Sequence, residues 1–256
     1  MRSPTTLASL VFGLLVLSGC RSASVVGHAP GGAPILSVPL RLSNVHVIQT
    51  ARPVLIDSGT IGDMADLQSA LVDHGMSMRS VGLVVLTHGH ADHAGLAADL
   101  SRSWGMKIML GAGDTGLAQA GRDDELVPTS FFARLIRPSI IDVYPDFVPD
   151  IAVREDAAVD LAPWGVQGKA IAMPGHTKGS IVVVMADHSA FVGDMMMGGS
   201  LGGAFSPSSP GEHYYQADRA KNLRNIQTLL AMGVEKFYLG HGGPVARADV
   251  IAAFPR

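Results

Sequence analysis

A chain of 256 residues, 47 % of them hydrophobic, can bury the core of one large domain and is short for two. Its 19 Lys and Arg against 22 Asp and Glu leave a formal charge of −3. That balance offers neither a basic field nor an acidic tail, so nucleic acid is not an expected partner.

The first residues read as an export signal. Arg2 supplies a positive start, residues 7–17 an apolar stretch too short to span a bilayer, and Leu17-Ser18-Gly19-Cys20 a close with small residues. This tetrapeptide resembles the bacterial lipobox. The resemblance implies a lipoprotein signal peptide over 1–19 and a lipid anchor at Cys20, the only cysteine in the chain. The expected destination is the bacterial periplasm. Arg21, rather than Asp at that place, resembles the sorting pattern for the outer membrane. Residues 22–34 are rich in Ala, Gly, Ser and Pro without apolar periodicity, so 20–34 is expected to be a flexible tether and 35–256 the folded domain.

From Ile35 onward, short apolar runs alternate with helix-like stretches, which predicts an α/β fold of sheets covered by helices. Residues 45–49 and 53–56 are predicted to be paired strands. Ile61, Met64, Leu67 and Leu71 recur at helical spacing behind the cap-like Ser58 and Thr60 and ahead of Gly75, so a helix is expected there. The aliphatic run 81–86 predicts a buried strand. A helix over 94–104, a strand over 107–110 and a short helix over 114–120 follow. Between 127 and 148, Phe131, Phe132, Leu135, Ile136, Ile140 and Ile141 lack clean periodicity; the segment is core, the preferred reading, or a pocket-shaping insertion. Strands are predicted over 169–173, 181–185 and 190–192. A helix over 215–231 shows Leu223, Ile226 and Leu230 on one face and stops at Gly233, and a last strand covers 237–239. Gly198, Gly199, Gly202 and Gly203 with Ser206-Pro207-Ser208-Ser209-Pro210-Gly211 predict a long loop at the substrate mouth, closed by His213, Tyr214 and Tyr215.

Four of these strands end on metal-competent side chains. The first delivers Thr87-His88-Gly89-His90-Ala91-Asp92-His93, and the others end in Pro174-Gly175-His176, Gly193-Asp194 and Gly240-His241. Mixed α/β sheets gather sites at strand ends in this way. Three imidazoles and a carboxylate so close together are hard to explain as packing, whereas the scattered His28, His46, His74 and His188 are expected to be ordinary side chains. His88, His90, Asp92, His93, His176, Asp194 and His241 provide six donors for two sets of three and one to bridge them. That stoichiometry suits two metal ions roughly 3.5 Å apart sharing a carboxylate and a water.

Taken in order, the motif from Thr87 to His93, Gly175-His176-Thr177, Gly193-Asp194 and Gly240-His241 resemble the signature of the metallo-β-lactamase superfamily, over essentially 57–241. The resemblance implies an αββα sandwich, two mixed β-sheets with flanking helices and a di-metal cleft at one end. It implies His88, His90 and His176 on the first ion, Asp92, His93 and His241 on the second, and Asp194 as the bridge. Asp57 would steady the ligand loops through hydrogen bonds. Two Zn2+ per chain are expected, with Fe or Mn as the other metals such a site admits. The implied reaction is hydrolysis of an ester, thioester or lactone through a metal-bridging hydroxide, with Asp92 and Asp194 as catalytic residues. Asp194 makes the pattern closer to glyoxalase II and the lactonases than to the true β-lactamases, which generally lack that acid. Glyoxalase II adds a glutathione-gripping helical region after the last motif, and here the last motif is at position 241 of 256. A lactonase-like or broader esterase acting on a small-molecule acyl substrate is therefore expected. A phenol of Tyr214 or Tyr215 is a candidate to polarise the scissile carbonyl, as in some lactonases of this fold, though packing is the preferred reading. The other readings are an exported metallo-β-lactamase, an iron-dependent persulfide dioxygenase and a non-catalytic metal-binding lipoprotein.

Overall fold

The computed structural model describes residues 22–255; the predicted signal peptide and Cys20 lie outside the described residues. One sheet has seven strands in chain order: β1 (Ser24–His28), β2 (Pro34–Pro39), β3 (Asn44–Ile48), β4 (Val54–Ile56), β5 (Leu83–Val85), β6 (Lys107–Gly111) and β7 (Ile151–Val153). Neighbours are antiparallel from β1 to β4 and parallel from β4 to β7. The second sheet contains β8 (Ala158–Asp160), β9 (Gly168–Ala172), β10 (Ile181–Met185), β11 (Ser189–Gly193), β14 (Lys236–Leu239) and β15 (Val245–Ala246), in the order β15-β14-β11-β10-β9-β8. A separate hairpin joins β12 (Met197–Ser200) to β13 (Phe205–Gly211).

Side chains alternate across a strand, so each sheet has two faces to cover. Ile35, Ile48, Ile56 and Val85 of the first sheet meet Val183, Phe191 and Tyr238 of the second in a core between them. The opposite face of the first sheet, with Val45, Val47, Leu55 and Val84, is covered by α1 (Met64–Asp73) and α3 (Ala97–Trp104), which follows the short α2 (Ala91–Ala94). The outer face of the second, with Val182, Val192 and Phe237, is covered by Ile226, Leu229 and Leu230 of a long helix (Arg219–Ala231) and Val250 of the last one (Arg247–Ala253). The layers run helix, sheet, sheet, helix, as expected. Strands buried on both faces explain why 81–86 reads as an unbroken aliphatic run.

Leu67 and Leu71, one helical turn apart, seat α1 on that core and are fully buried. The helix starts at Asp63 rather than at the expected Ser58 or Thr60, and it ends before Gly75 at φ +73, the left-handed conformation that suits glycine. Leu67→Ala is expected to cost about 2–5 kcal/mol, read as a lower urea midpoint at unchanged slope. A loss under about 1 kcal/mol would show that this helix is not seated as described.

Three expectations are corrected. The segment read as part of a flexible tether supplies β1, which pairs with β2 from Ser24 opposite Ser37 to His28 opposite Pro34, so the sheet begins well before Ile35. An edge strand is held by its backbone ladder and leaves little apolar periodicity in the sequence. The glycine-rich segment after Asp194 is the β12–β13 hairpin, not a loop: Gly199 lies at φ +70, where a Cβ would come 1.9 Å from the carbonyl oxygen of Phe205. Residues 127–148 divide between the two readings: Ile136, Ile140 and Ile141 line the cavity, whereas Tyr144 and Phe147 are buried in the core on the helix-covered face of the first sheet. After α4 (Thr115–Ala120), α5 (Phe131–Ile136) buries Ala133 and Ile136 in a small cluster with Leu126 and Tyr215, leaving Phe131, Leu135 and Ile141 exposed. The long helix and the last one are α6 and α7 in chain order. Among the described residues no helix is long and apolar enough to cross a membrane.

Candidate metal centre

The parallel strands β4 and β5 end on the same side of the sandwich, as β11 and β14 do in the other sheet, and the site lies where these ends meet. β4 leads into Asp57, β5 into the loop carrying His88, His90, Asp92 and His93, β9 toward His176, β11 into Asp194 and β14 into His241. All seven expected donors are brought together. His176 Nε2 lies 3.2 Å from His88 Nε2 and 3.1 Å from His90 Nδ1. On the other side, His241 Nε2 is 3.2 Å from Asp92 Oδ2, and His93 Nε2 is 3.5 Å from the same oxygen. Asp194 Oδ2 sits between the two sets, 3.2 Å from His241, 3.4 Å from His93, 3.7 Å from His176 and 3.9 Å from His88.

The outer nitrogen of every one of these imidazoles is already engaged. His88 Nδ1 meets Thr87 Oγ1 at 3.1 Å, His90 Nε2 meets Asp124 Oδ1 at 2.8 Å and His93 Nδ1 meets Asp57 Oδ2 at 2.9 Å. Backbone carbonyls serve the other two: that of Tyr215 for His176 at 2.9 Å and that of Leu42 for His241 at 2.8 Å. With outer N–H groups donating, the inner nitrogens present lone pairs, which is how ligating histidines are held. The lone pair of His176 Nε2, facing those of His88 and His90 at 3.2 and 3.1 Å, repels them unless a cation lies among them. Tetrahedral nitrogen ligands about 2.0–2.1 Å from a zinc ion are ~3.3 Å apart, close to this spacing. His93 Nε2 and Asp194 Oδ1 are buried without a hydrogen-bond partner. The residues present therefore fit a bound metal, and the two groups His88, His90, His176 and Asp92, His93, Asp194, His241 could each hold an ion.

Charge sets the donors apart. Burial, reinforced by neighbouring imidazoles, holds His88 and His176 well below the usual histidine range, so these two offer neutral ligands, whereas for His90 in the same half burial is outweighed by the hydrogen bond to Asp124 and the nearby Asp123, which raise it. In the other half, burial would also disfavour a charged ring, yet Asp194 and Asp92 push His241 up to about 10 and raise His93 well above its ordinary value. Burial alone would raise the carboxyl of Asp194, but His241, His93 and His213 keep it well below the carboxylate range. This half demands positive charge.

Carboxylates outside the ligand set tie the loops together. Asp57, at φ +66, accepts from the Thr87 N–H at 2.7 Å and from the Thr87 hydroxyl, as well as from His93. Asp114 joins the first motif to the second by accepting from Gly89 N–H at 2.9 Å, Thr177 Oγ1–H at 2.6 Å and Gly179 N–H at 2.7 Å. Asp123 accepts from Ala91 N–H at 2.8 Å. Sequence reasoning missed Asp114, Asp123 and Asp124, and it gave His213 no metal-facing place. His213 Nε2 lies 3.2 Å from Asp194 Oδ2, and with His176 and Asp194 it forms a third possible donor group. No spacing signal marks it, although it stands two positions before the residue whose carbonyl holds His176. His46 is buried and bonded to the Leu239 carbonyl at 3.0 Å, a packing role as expected. Tyr214 and Tyr215 both line the cavity, and the Tyr215 hydroxyl is committed to the Ala133 carbonyl at 2.7 Å. Beside the donors opens a cavity of about 190 Å³ with apolar walls from Ile61, Leu126, Ile136, Ile140, Ile141 and Met197.

Gly240 is where the backbone of β14 passes the bridge most closely: a Cβ there would lie 2.2 Å from Asp194 Oδ1 and 2.6 Å from His93 Cε1. Gly240→Ala is expected to displace the carboxylate and lower bound metal while the far-UV circular dichroism stays unchanged. A full metal complement in that variant would show that the crowding is relieved elsewhere.

The family model described as the Metallo-beta-lactamase superfamily matches residues 38–241. The Beta-lactamase-like protein 2 homolog of Drosophila melanogaster is 23 % identical over 220 residues, 82 % of this chain and 61 % of that protein. The chain thus spans less than two thirds of that relative's length. Among solved structures, a metallo-beta-lactamase family protein from Thermus thermophilus superposes with a TM-score of 0.61 at 22 % identity, covering 84 % of this chain and 75 % of that one. The subclass B3 metallo-beta-lactamase BJP-1 of Bradyrhizobium japonicum gives 0.56 at 19 %, covering 81 % and 74 %. At such identities the likeness is one of fold.

Proposed function

The chain belongs to the metallo-β-lactamase superfamily, whose members are generally metal-dependent hydrolases, and we propose that it is a di-zinc hydrolase of esters, thioesters or lactones. The observation that carries this reading is the place of Asp194, a buried carboxylate within 3.2–3.9 Å of ring nitrogens from both donor sets. His88, His90 and His176 would hold one ion and Asp92, His93 and His241 the other, with Asp194 shared. Imidazole and carboxylate in four-coordinate sets are zinc's ordinary ligands. Two such ions, when bound, supply a Lewis acid for the carbonyl oxygen and lower the pKa of a shared water to about 7. The chain's own part is orientation: Asp57 fixes His93, Asp124 fixes His90, and Asp114 locks the two histidine loops together, so the donors need not reorganise. Water adds across the acyl C–O or C–S bond, giving a carboxylate, an alcohol or thiol, and a proton.

The cavity favours an apolar acyl group. Arg41 is the only Lys or Arg among its lining residues and reaches Asp63 at 3.7 Å, so a phosphodiester finds no cationic cradle. The lipobox supports export to the periplasm with a lipid anchor at Cys20, and Arg21 the outer membrane. β-Lactams stand second as substrates: the fold is shared with a subclass B3 enzyme, while Asp194 points to the lactonase-like branch.

Elemental analysis joined to a panel of lactones, thioesters, aryl esters, β-lactams and a phosphodiester tests the reading. Two zinc ions per chain are expected, with carboxylic esters or lactones turned over fastest and kcat/KM falling below about pH 7. One tightly held iron with oxygen uptake on a persulfide would identify a dioxygenase instead. β-Lactam turnover well above every ester would reverse the ranking, and no turnover by metal-replete protein would leave a binding protein.

A further inference from the structure

The described chain enters the fold at its metal end. β4 finishes at that end on the way to Asp57; β3 is antiparallel to β4, β2 to β3 and β1 to β2, so β1 starts there at Ser24. β2, running the other way, leads into Arg41 and Leu42, which line the cavity. Ala23 already packs on the outer core of the first sheet. Ser24 is four positions after Cys20. A chain extends at most ~3.3–3.6 Å per residue, so a lipid on Cys20 cannot lie more than about 14 Å from Ser24. With 24–34 folded into the sheet, a diacylglycerol at Cys20 would hold the cleft end of the domain near the membrane rather than leave it on a long leash.

The rim of the cleft bears the apolar side chains that such a position calls for. α5 turns Ala133 and Ile136 inward and leaves Phe131 and Leu135, one helical turn apart, 81 % and 52 % exposed. Phe132 meets the ring of Tyr214 at 5.5 Å, and Tyr214 and Ile136 line the cavity, so the exposed apolar surface of α5 is continuous with the cavity wall. Arg134 is exposed on the same short helix, a cation suited to lipid phosphate beside rings suited to the acyl boundary. Clustered large apolar groups on a water-facing surface mark an interaction site.

We propose that this rim, centred on Phe131 and Leu135, seats on a lipid bilayer and opens the cleft to it, so that amphiphilic substrates enter the apolar cavity from the membrane. The docking rests on the lipid at Cys20, and its consequence for substrates on the hydrolase reading.

The test uses lipidated full-length protein in vesicles of phosphatidylethanolamine and phosphatidylglycerol. Because Cys20 is the only native cysteine, Phe131→Cys can carry an environment-sensitive fluorophore, with Val72→Cys as control. Val72 is 60 % exposed in the last turn of α1, which runs from the end of β4 to the start of β5 and so finishes at the far end of the sandwich. The probe at 131 is expected to shift to the blue and to be quenched by nitroxide lipid several-fold more than the probe at 72. Equal quenching, an aqueous spectrum at 131, or wild-type protein recovered free of vesicles would overturn the docking. A double variant, Phe131→Ser with Leu135→Ser, alters residues that do not line the cavity. It should lose several-fold in turnover of a long-chain aryl ester carried in the same vesicles and keep its rate on a soluble short-chain ester; an equal loss on both contradicts the proposal. Wild type inactive on both esters would sink the hydrolase reading alone, and the fluorophore result would still decide the docking.

Discussion

Replacing Asp194 by Ser is expected to give a folded protein that retains little more than one metal ion per chain and loses about a thousandfold or more in kcat/KM. Asp194 Oδ2 is the one oxygen placed near both donor sets, 3.2 Å from His241 and 3.7 Å from His176. Without it the half formed by Asp92, His93 and His241 keeps a single carboxylate, and its demand for a cation falls by one charge. Loss of a hydrogen-bonding partner outside the ligand shell already costs such sites 10–100-fold in affinity or activity. A shared ligand should cost more. A thousandfold corresponds to about 4 kcal/mol of transition-state stabilisation. Serine is smaller than Asp, so the variant does not overpack the site. His88→Ala provides the complement: it removes one of the three imidazoles of the first set and should abolish turnover. Elemental analysis and kcat/KM on the best ester decide the matter. Two ions and a wild-type rate in Asp194→Ser would show that Asp194 is not the bridge.

The gathering of the seven candidate donors was legible because two signals coincide on most of them: a buried strand and a polar side chain close after its end, with the half-buried β9 before His176 as the weaker case. His88 follows Leu83 to Leu86, all fully buried. Asp124, which orients His90, comes from a stretch with no period, and Asp114 from the turn after β6; neither shares a spacing with the ligands they serve. Their role exists only once the chain has folded. β1 was illegible for a different reason, since Ser24, Val25 and His28 are exposed and the single contact of Val26 with the core leaves no alternating side-chain pattern. The glycines of β12 and β13 read as breakers because sequence rules treat glycine as a turn residue, whereas Gly198 and Gly199 let neighbouring backbone approach so closely that a Cβ would not fit. Phe131 misled through hydrophobicity itself: a large ring is a fair guess for core, and here it is on the rim of the cleft.

Chelation is expected to lower the thermal midpoint, and to lower it further at pH 9 than at pH 6.5. Metal binds the folded donor set, so at free metal about a thousand times its dissociation constant the bound form gains about 4 kcal/mol. For a domain of this size that corresponds to roughly 8–16 °C. The pH dependence follows from the protonation of the metal-free site. His241 is raised to about 10, and His93 well above its ordinary value, despite burial, by Asp194 and Asp92. A folded value above the unfolded one means that the folded state binds the proton more tightly. This stabilisation is therefore complete below about pH 6.5 and is lost as pH rises through 10. His88, His176 and His213 are lowered, chiefly by burial, so they destabilise the metal-free fold below about pH 6.5 and contribute nothing to the alkaline limb. In the metal-free protein, protons on His241 and His93 stand in for the missing cation, and raising the pH removes them. In the loaded protein the same rise favours metal, because imidazoles bind ions only when deprotonated. The two trends separate the curves, and the gap between loaded and chelated midpoints should widen steadily from pH 6.5 to 9. Differential scanning calorimetry on both forms measures it directly. A gap that stays constant or narrows over that range would mean that Asp92 and Asp194 are not charge-compensated by His241 and His93 in the metal-free fold.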